Sequence, residues 1–113
     1  MQPGVAKLPH LFQPGRFGRF EVKNRIKYGA CCVSNYNTRD GFITEREIAR
    51  MQVIARTGCG MITNQGAYPD PLGEGKAYFR QVAIFDDKFL PQFERIAADI
   101  KAQGAMPIQQ ILH

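Results

Sequence analysis

Two cysteines stand side by side in the stretch NRIKYGACCVSN, residues 24–35, directly after a glycine and an alanine. Adjacent cysteines seldom bond to each other, and Cys59 is the one other thiol of the chain. An odd count with no C-x-x-C pair argues against a disulfide framework and against a complete zinc site, so no metal is expected. Reduced thiols fit a cytoplasmic setting. Buried among apolar groups such a thiol is a small hydrophobe; next to a reactive group it is a weak hydrogen-bond partner. Other polar groups fall at comparable places: Asn64-Gln65-Gly66 and Gln109-Gln110 each follow an apolar run. Asp86 and Asp87 resemble a paired-carboxylate site, but capping of the next helix explains them more cheaply. His10 reads as a surface residue of the N-terminal arm, and Cys59, between Gly58 and Gly60, as a core residue at a strand entrance.

The elements that carry these residues follow from periodicity and punctuation. Pro14-Gly15 marks a turn. Phe20 and Val22 then alternate with Glu21 and Lys23, the period of a half-exposed strand. RIKYGACCV continues as a strand that becomes buried toward its C-terminal end. Thr44 and Glu47 have capping-box spacing, in which the hydroxyl accepts from an amide and the carboxylate reaches back. Ile48, Met51 and Ala55 line one face of the helix that follows, flanked by Ile54 and Ala49, and Gly58 is placed to end it. GMITNQGA is the second strand. Residues 68–85, with Pro69, Pro71, Gly73 and Gly75, form a long loop of the kind that often carries function. Asp86 or Asp87 caps a second helix, whose apolar stripe is Phe89, Phe93, Ile96 and Ile100. AMPIQQIL is the third strand.

A hairpin followed by β-α-β-α-β implies parallel pairing with right-handed crossovers. The small and polar residues Gly29-Ala30, Asn64-Gln65-Gly66 and Gln109-Gln110 then share the C-terminal rim of the strands, where ligands bind in parallel α/β architectures. Three strands and two helices leave a sheet edge open. The expectation is therefore the first part of a larger barrel: residues 1–113 as a partial barrel, with the remainder absent.

Bulk properties exclude several classes. The chain has 113 residues, 44% hydrophobic and 22% charged, ordinary values for a folded domain. No apolar run reaches the ~18 residues that a membrane span requires, and the N-terminal stretch lacks a signal-peptide core. The net charge of +5 comes from dispersed basic residues without a recognition motif, so neither nucleic acid nor membrane is an expected partner.

LFQPGRFGRFEVKNRI, the Ala30-Cys31-Cys32 step, TERE leading to GCGMITNQGAYPDP, and the terminal QILH are collinear and cover nearly the whole chain. Together they are similar to the N-terminal portion of the old yellow enzyme family of flavin reductases, and resemble most its 2,4-dienoyl-CoA reductase-like branch. The resemblance implies an α/β fold, the N-terminal fragment of a (β/α)8 TIM barrel holding FMN at the strand C-termini. It implies a full-length oxidoreductase passing hydride from NADH or NADPH through FMN to the activated C=C bond of an enone or an enoyl- or dienoyl-CoA. FAD and a 4Fe-4S cluster are implied only if the missing C-terminal part is that of the larger branch. A homo-oligomer is compatible with this reading.

By position, the resemblance places the backbone of Ala30, Cys31 and Cys32 against the isoalloxazine, Gly66 at the ring edge and Gln110 on its pyrimidine side. Small side chains allow a backbone to approach a flat ring, and a glutamine amide offers both the donor and the acceptor that a uracil-like edge requires. Cys31 matches a position that is usually apolar and is expected as a small buried hydrophobe. Cys32 matches a position beside the reactive end of the flavin, where a hydrogen-bonding group tunes its electronics. His113 matches a family histidine. GAC stands where many members have a proline, and no catalytic residue is assignable within these residues. The alternative is a truncated, non-catalytic barrel fragment or paralogue acting as an interaction partner. By itself the chain is expected to be inactive and poorly soluble or oligomeric.

Overall fold

The computed structural model describes residues 3–113. The proline-rich arm, expected to lead through a turn into strands, first forms two short helices, α1 (Pro3–Lys7) and α2 (Pro9–Phe12). Proline is compatible with a first helical turn because its missing N–H has no partner there. A hairpin follows, β1 (Gly15–Phe17) against β2 (Phe20–Val22), antiparallel with Gly15 opposite Val22. Val22 is buried, whereas Phe17 and Phe20 stay exposed.

Asn24 ties this hairpin to the sheet. Its side chain donates to the Gly58 carbonyl at 2.8 Å and accepts from the Ile26 amide at 3.1 Å. A Cβ at Gly60 would lie 2.3 Å from the Asn24 carbonyl oxygen, so the strand entrance requires glycine there. The sheet itself has the order β3-β4-β5, with β3 (Lys27–Tyr28), β4 (Met61–Ala67) and β5 (Met106–Ile111) all parallel.

Two local expectations are corrected. The first strand does not run on through Val33; it ends at Tyr28. Gly29 brings no side chain to pack, and the pairing register of β3 with β4 stops at Tyr28 and Ile62. The segment beyond is irregular. Nor is there a capping box on α3 (Glu45–Ala55): Thr44 is its N-cap but makes no side-chain cap bond. The Thr44 hydroxyl instead donates to the Tyr36 carbonyl, and Glu47 turns inward to bond Arg50 and Gln65. A carboxylate with such partners has no reason to reach back to the cap.

Ile48, Met51, Ile54 and Ala55 of α3 are buried as the periodicity requires, while Ala49 is exposed. Gly58, at φ +91°, takes the left-handed turn that follows the helix. Asp86 caps the 3-10 turn Asp87–Phe89 by accepting from the Lys88 amide at 2.9 Å, and α4 (Leu90–Ala102) begins behind it with Pro91 in its first turn. Ile96 and Ile100 of α4 join Ile48, Met51, Ile54 and Ile62 in one core. A smaller aromatic cluster stacks Phe42 on Phe89, centroids 4.6 Å apart, with Phe85 and Tyr68 beside it.

The molecule measures 49 × 28 × 22 Å with a radius of gyration of 15.4 Å, against about 13 Å for a closed domain of this length. Among the described residues no helix is long and apolar enough to cross a membrane.

Candidate functional site

The C-terminal ends of β3, β4 and β5 bring the expected site residues to one rim. Ala30 is half-buried on the segment that leaves β3. Cys31 and Cys32 follow it, both exposed. This corrects the expectation that Cys31 is a buried hydrophobe: outside a strand ladder, no neighbouring strand covers it. Gly66 is buried in β4, and Gln110 is exposed on β5.

Gly66 and Gln110 face each other closely. A Cβ at Gly66 would lie 2.8 Å from the Leu112 Cβ and 3.1 Å from the Gln110 Oε1. The β4–β5 register also shifts between Asn64 and Ala67, so the strand is irregular at Gln65-Gly66, the kind of local feature that redirects side chains next to sites. Both carbonyls of that irregularity are held by side-chain amides. The Gln109 Nε2 donates to the Gln65 carbonyl at 2.8 Å, and the Gln81 Nε2 to the Gly66 carbonyl at 3.1 Å.

Behind this rim runs a chain of polar groups, buried at Glu47 and Gln65 and half-buried at Arg50, Tyr28 and Tyr78. The Glu47 side chain has no exposed surface. Its Oε2 accepts from the Arg50 Nε at 2.7 Å, and its Oε1 accepts from the Arg50 Nη2 at 2.6 Å and from the Gln65 Nε2 at 2.9 Å. Arg50 also donates to the Tyr28 hydroxyl at 3.2 Å, and the Tyr78 hydroxyl donates to the Gln65 Oε1 at 3.0 Å. Hydrogen bonding to Glu47 holds the Arg50 guanidinium pKa above its ordinary value despite the opposing cost of burial. Burial raises both phenols; the Cys31 thiol adds to the effect at Tyr28 and the Cys32 thiol at Tyr78.

The loop after β4 is ordered by its own polar groups. Tyr68 exchanges backbone bonds with Val82 and Ile84, and the Gln81 Oε1 accepts from the Ala77 amide at 2.6 Å. Asp70 accepts from the amides of Glu74 and Gly75 at 3.0 and 2.9 Å. These bonds, the Gly75 one foremost, hold its carboxyl pKa below the usual aspartate range. A depressed folded pKa contributes stability that is present above the unfolded value and lost as pH falls through the folded one. The 70–75 turn is thus expected to open only below the ordinary carboxylate range. NMR shifts of the Glu74 and Gly75 amides, followed between about pH 6 and 2, check this; an unchanged titration in Asp70→Asn would mean that another group controls the turn.

Residues 10–113 match the NADH:flavin oxidoreductase / NADH oxidase family. The chain belongs to that family. It is 31% identical over 109 residues to an NADH oxidase of Thermoanaerobacter brockii, covering 96% of this chain and 16% of the relative. To a probable NADH-dependent flavin oxidoreductase, YqiG, of Bacillus subtilis (strain 168) it is 34% identical over 110 residues, covering 95% and 28%. Its fold superposes on a 2-naphthoyl-CoA reductase in complex with 2-naphthoyl-CoA with a TM-score of 0.82 at 37% identity, covering 92% of this chain and 16% of that one. The old yellow enzyme from Pichia sp. AKU4542 gives 0.82 at 20% identity, covering 92% and 26%, a likeness of fold alone.

The chain therefore spans about a sixth to a quarter of such NADH:flavin oxidoreductases. Its architecture is that of their TIM-barrel start, an antiparallel hairpin followed by parallel β-α-β strands. The family is one of FMN-dependent enzymes that use NAD(P)H.

Within this family segment, other titratable candidates are exposed or engaged in packing and capping. His10 is exposed on α2, and Cys59 packs against the main core. Asp86 is engaged as a cap. His113 is exposed and lies by Gly75, where an added Cβ would be 2.8 Å from its ring. Among the described residues no group of three or more His, Cys, Asp and Glu is placed to hold a metal. Sequence reasoning missed the Glu47–Arg50 pair and the loop residues Tyr78 and Gln81. One signal existed: Glu47 falls on the apolar stripe with Met51 and Ile54, an unusual place for an unpaired acid, and Arg50 is three residues on.

Proposed function

We propose that this chain supplies the first three strands and two helices of an FMN-binding barrel of the 2,4-dienoyl-CoA reductase-like branch. The full protein would pass hydride from NADH or NADPH to the activated C=C bond of an enone or an enoyl- or dienoyl-CoA. The observation that carries this reading is the gathering of the Ala30–Cys32 segment, Gly66 and Gln110 on one strand-end rim. The likeness to 2-naphthoyl-CoA reductase at 37% identity supports a thioester or comparably activated substrate. FAD and an iron–sulfur cluster belong to the proposal only with the larger branch, to whose NADH oxidase the chain is 31% identical.

The residues present fit the flavin. The Gln110 side chain makes no hydrogen bond among the described residues and is exposed, so its amide is available to a planar donor–acceptor edge. Glycine at 66 lets Gln110 and Leu112 approach the strand closely, and the two thiols are accessible. Bound FMN would supply hydride acceptance and donation. Gln110 would orient the ring, the Ala30–Cys32 backbone would support it, and the Cys32 thiol would bias its electronics.

The test is to produce the protein of the complete reading frame and titrate FMN by fluorescence quenching. NADH and NADPH are then compared as reductants with an enone and an enoyl-CoA. Stoichiometric flavin and turnover are expected; a protein that takes up no FMN ends the proposal. Cys32→Ala is expected to move the flavin reduction potential more than the melting temperature, and more than Cys31→Ala does. Potentiometry showing the reverse order would exchange the roles of the two thiols.

A further inference from the structure

We propose that the Glu47–Arg50 pair, fully buried at its carboxylate, is a positioning device that holds the ends of β3, β4 and β5 in one arrangement for the flavin. The inference rests on the FMN reading above. None of its members is itself assigned to the ring, yet each contacts a neighbour of a residue that is. Arg50 reaches Tyr28, two residues before Ala30, at 3.2 Å. Glu47 reaches Gln65, beside Gly66, at 2.9 Å. Gln65 in turn accepts through its carbonyl from Gln109, beside Gln110, at 2.8 Å. One hydrogen-bonded chain thus touches all three strand ends.

Attachment of α3 does not require this. Ile48, Met51, Ile54 and Ala55 already bury its apolar face, and an exposed pair at the same spacing would serve the helix equally well. An internal ion pair contributes little net stability compared with apolar replacements of similar volume; its best-attested contribution is to fix one arrangement over others. Here both carboxylate oxygens and three guanidinium nitrogens are engaged with groups on two strands and one helix. That directionality distinguishes the cluster from a simple clasp.

The loop adds a fourth anchor. The Tyr78 hydroxyl donates to the Gln65 Oε1 at 3.0 Å and also lies 3.4 Å from the Gly66 carbonyl. Tyr28 ends β3 three residues before Cys31, so a shift of the cluster reaches the thiol segment through the Arg50–Tyr28 bond.

The test uses the double variant E47Q/R50M in the protein of the complete reading frame. It removes both charges and leaves an amide oxygen for Gln65. Alkylation rates of Cys31, Cys32 and Cys59 are followed by peptide mass spectrometry without flavin. FMN affinity and reduction potential are measured in parallel. The expected result is a rise of about tenfold at Cys31 and Cys32 with Cys59 unchanged, about tenfold weaker FMN binding, and a shifted potential, at a nearly unchanged melting temperature. Equal rises at all three thiols mean general loosening and overturn the proposal. Unchanged rates at Cys31 and Cys32 overturn it as well. Unchanged affinity and potential in a flavin-loaded protein also overturn it, while the FMN reading stands. If the parent takes up no FMN, the flavin reading fails separately, and the thiol rates alone decide whether the pair positions the strand ends.

Discussion

Arg50→Met alone is expected to destabilise the protein by about 3–5 kcal/mol, the cost of leaving the buried carboxylate of an ion pair without its partner. The Glu47 side chain has no exposed surface, while that of Arg50 retains 18%. The asymmetry sets the order of the single substitutions. A stranded carboxylate has no route to water, whereas a stranded guanidinium keeps a partial one, so Glu47→Gln should cost less than Arg50→Met. In E47Q/R50M no charge is stranded, and much of the loss should return. Chemical denaturation of all four proteins as a double-mutant cycle measures this. Additive single effects would show that the two side chains do not depend on each other, against the 2.6 Å contact between them.

Gln110→Leu is expected to weaken FMN binding by about 1–3 kcal/mol, the cost of leaving a polar ring edge without its partner. The fold should barely respond, because Gln110 is exposed and its side chain makes no hydrogen bond among the described residues. That separation is what makes the substitution informative: a large loss of affinity with an unchanged melting curve is the signature of a direct contact. Fluorescence-quenching titration against the parent protein supplies the number. Equal affinities would mean that Gln110 does not touch the ring, and attention would shift to Gln109, whose amide is committed to the Gln65 carbonyl at 2.8 Å.

Order and type of the main elements were legible because they rest on period and punctuation. The stripe Ile48, Met51 and Ala55 and the stripe Phe89, Ile96 and Ile100 each carry a helix, and Gly58 and Gly104 close them at φ +91° and +70°. The rim followed from topology: parallel strands in sequence must put residues 30–32, 66 and 110 at the same end. What escaped reading depended on three-dimensional partners. Glu47 has capping-box spacing from Thr44, and spacing alone cannot show that Gln65 offers it a better use. The length of β3 was overestimated for a similar reason. GACCV has the apolar character of a strand, yet its pairing with β4 stops at Tyr28. Tyr78 and Gln81 lie in a loop without periodicity, so nothing local marks them as the residues that hold Gly66.

The central strand has a consequence for how the chain reaches this fold. Every residue of β4 from Ile62 to Ala67 is buried, yet Thr63, Asn64 and Gln65 among them are polar. Such a strand gains little from collapse onto apolar surface and is rewarded only when its partners are already in place. Those partners, β3 and β5, are each separated from it by an entire helix in sequence, whereas β1 and β2 meet across a tight turn. Long-range parallel pairing is slow because loop closure must precede the contacts that reward it. Hairpin and helices are therefore expected to acquire exchange protection early, with β4 last. Pulse-labelling that finds the Thr63–Gln65 amides protected ahead of those in α3 would contradict this order. The same polar residues that prepare the rim would thus set the pace of its assembly.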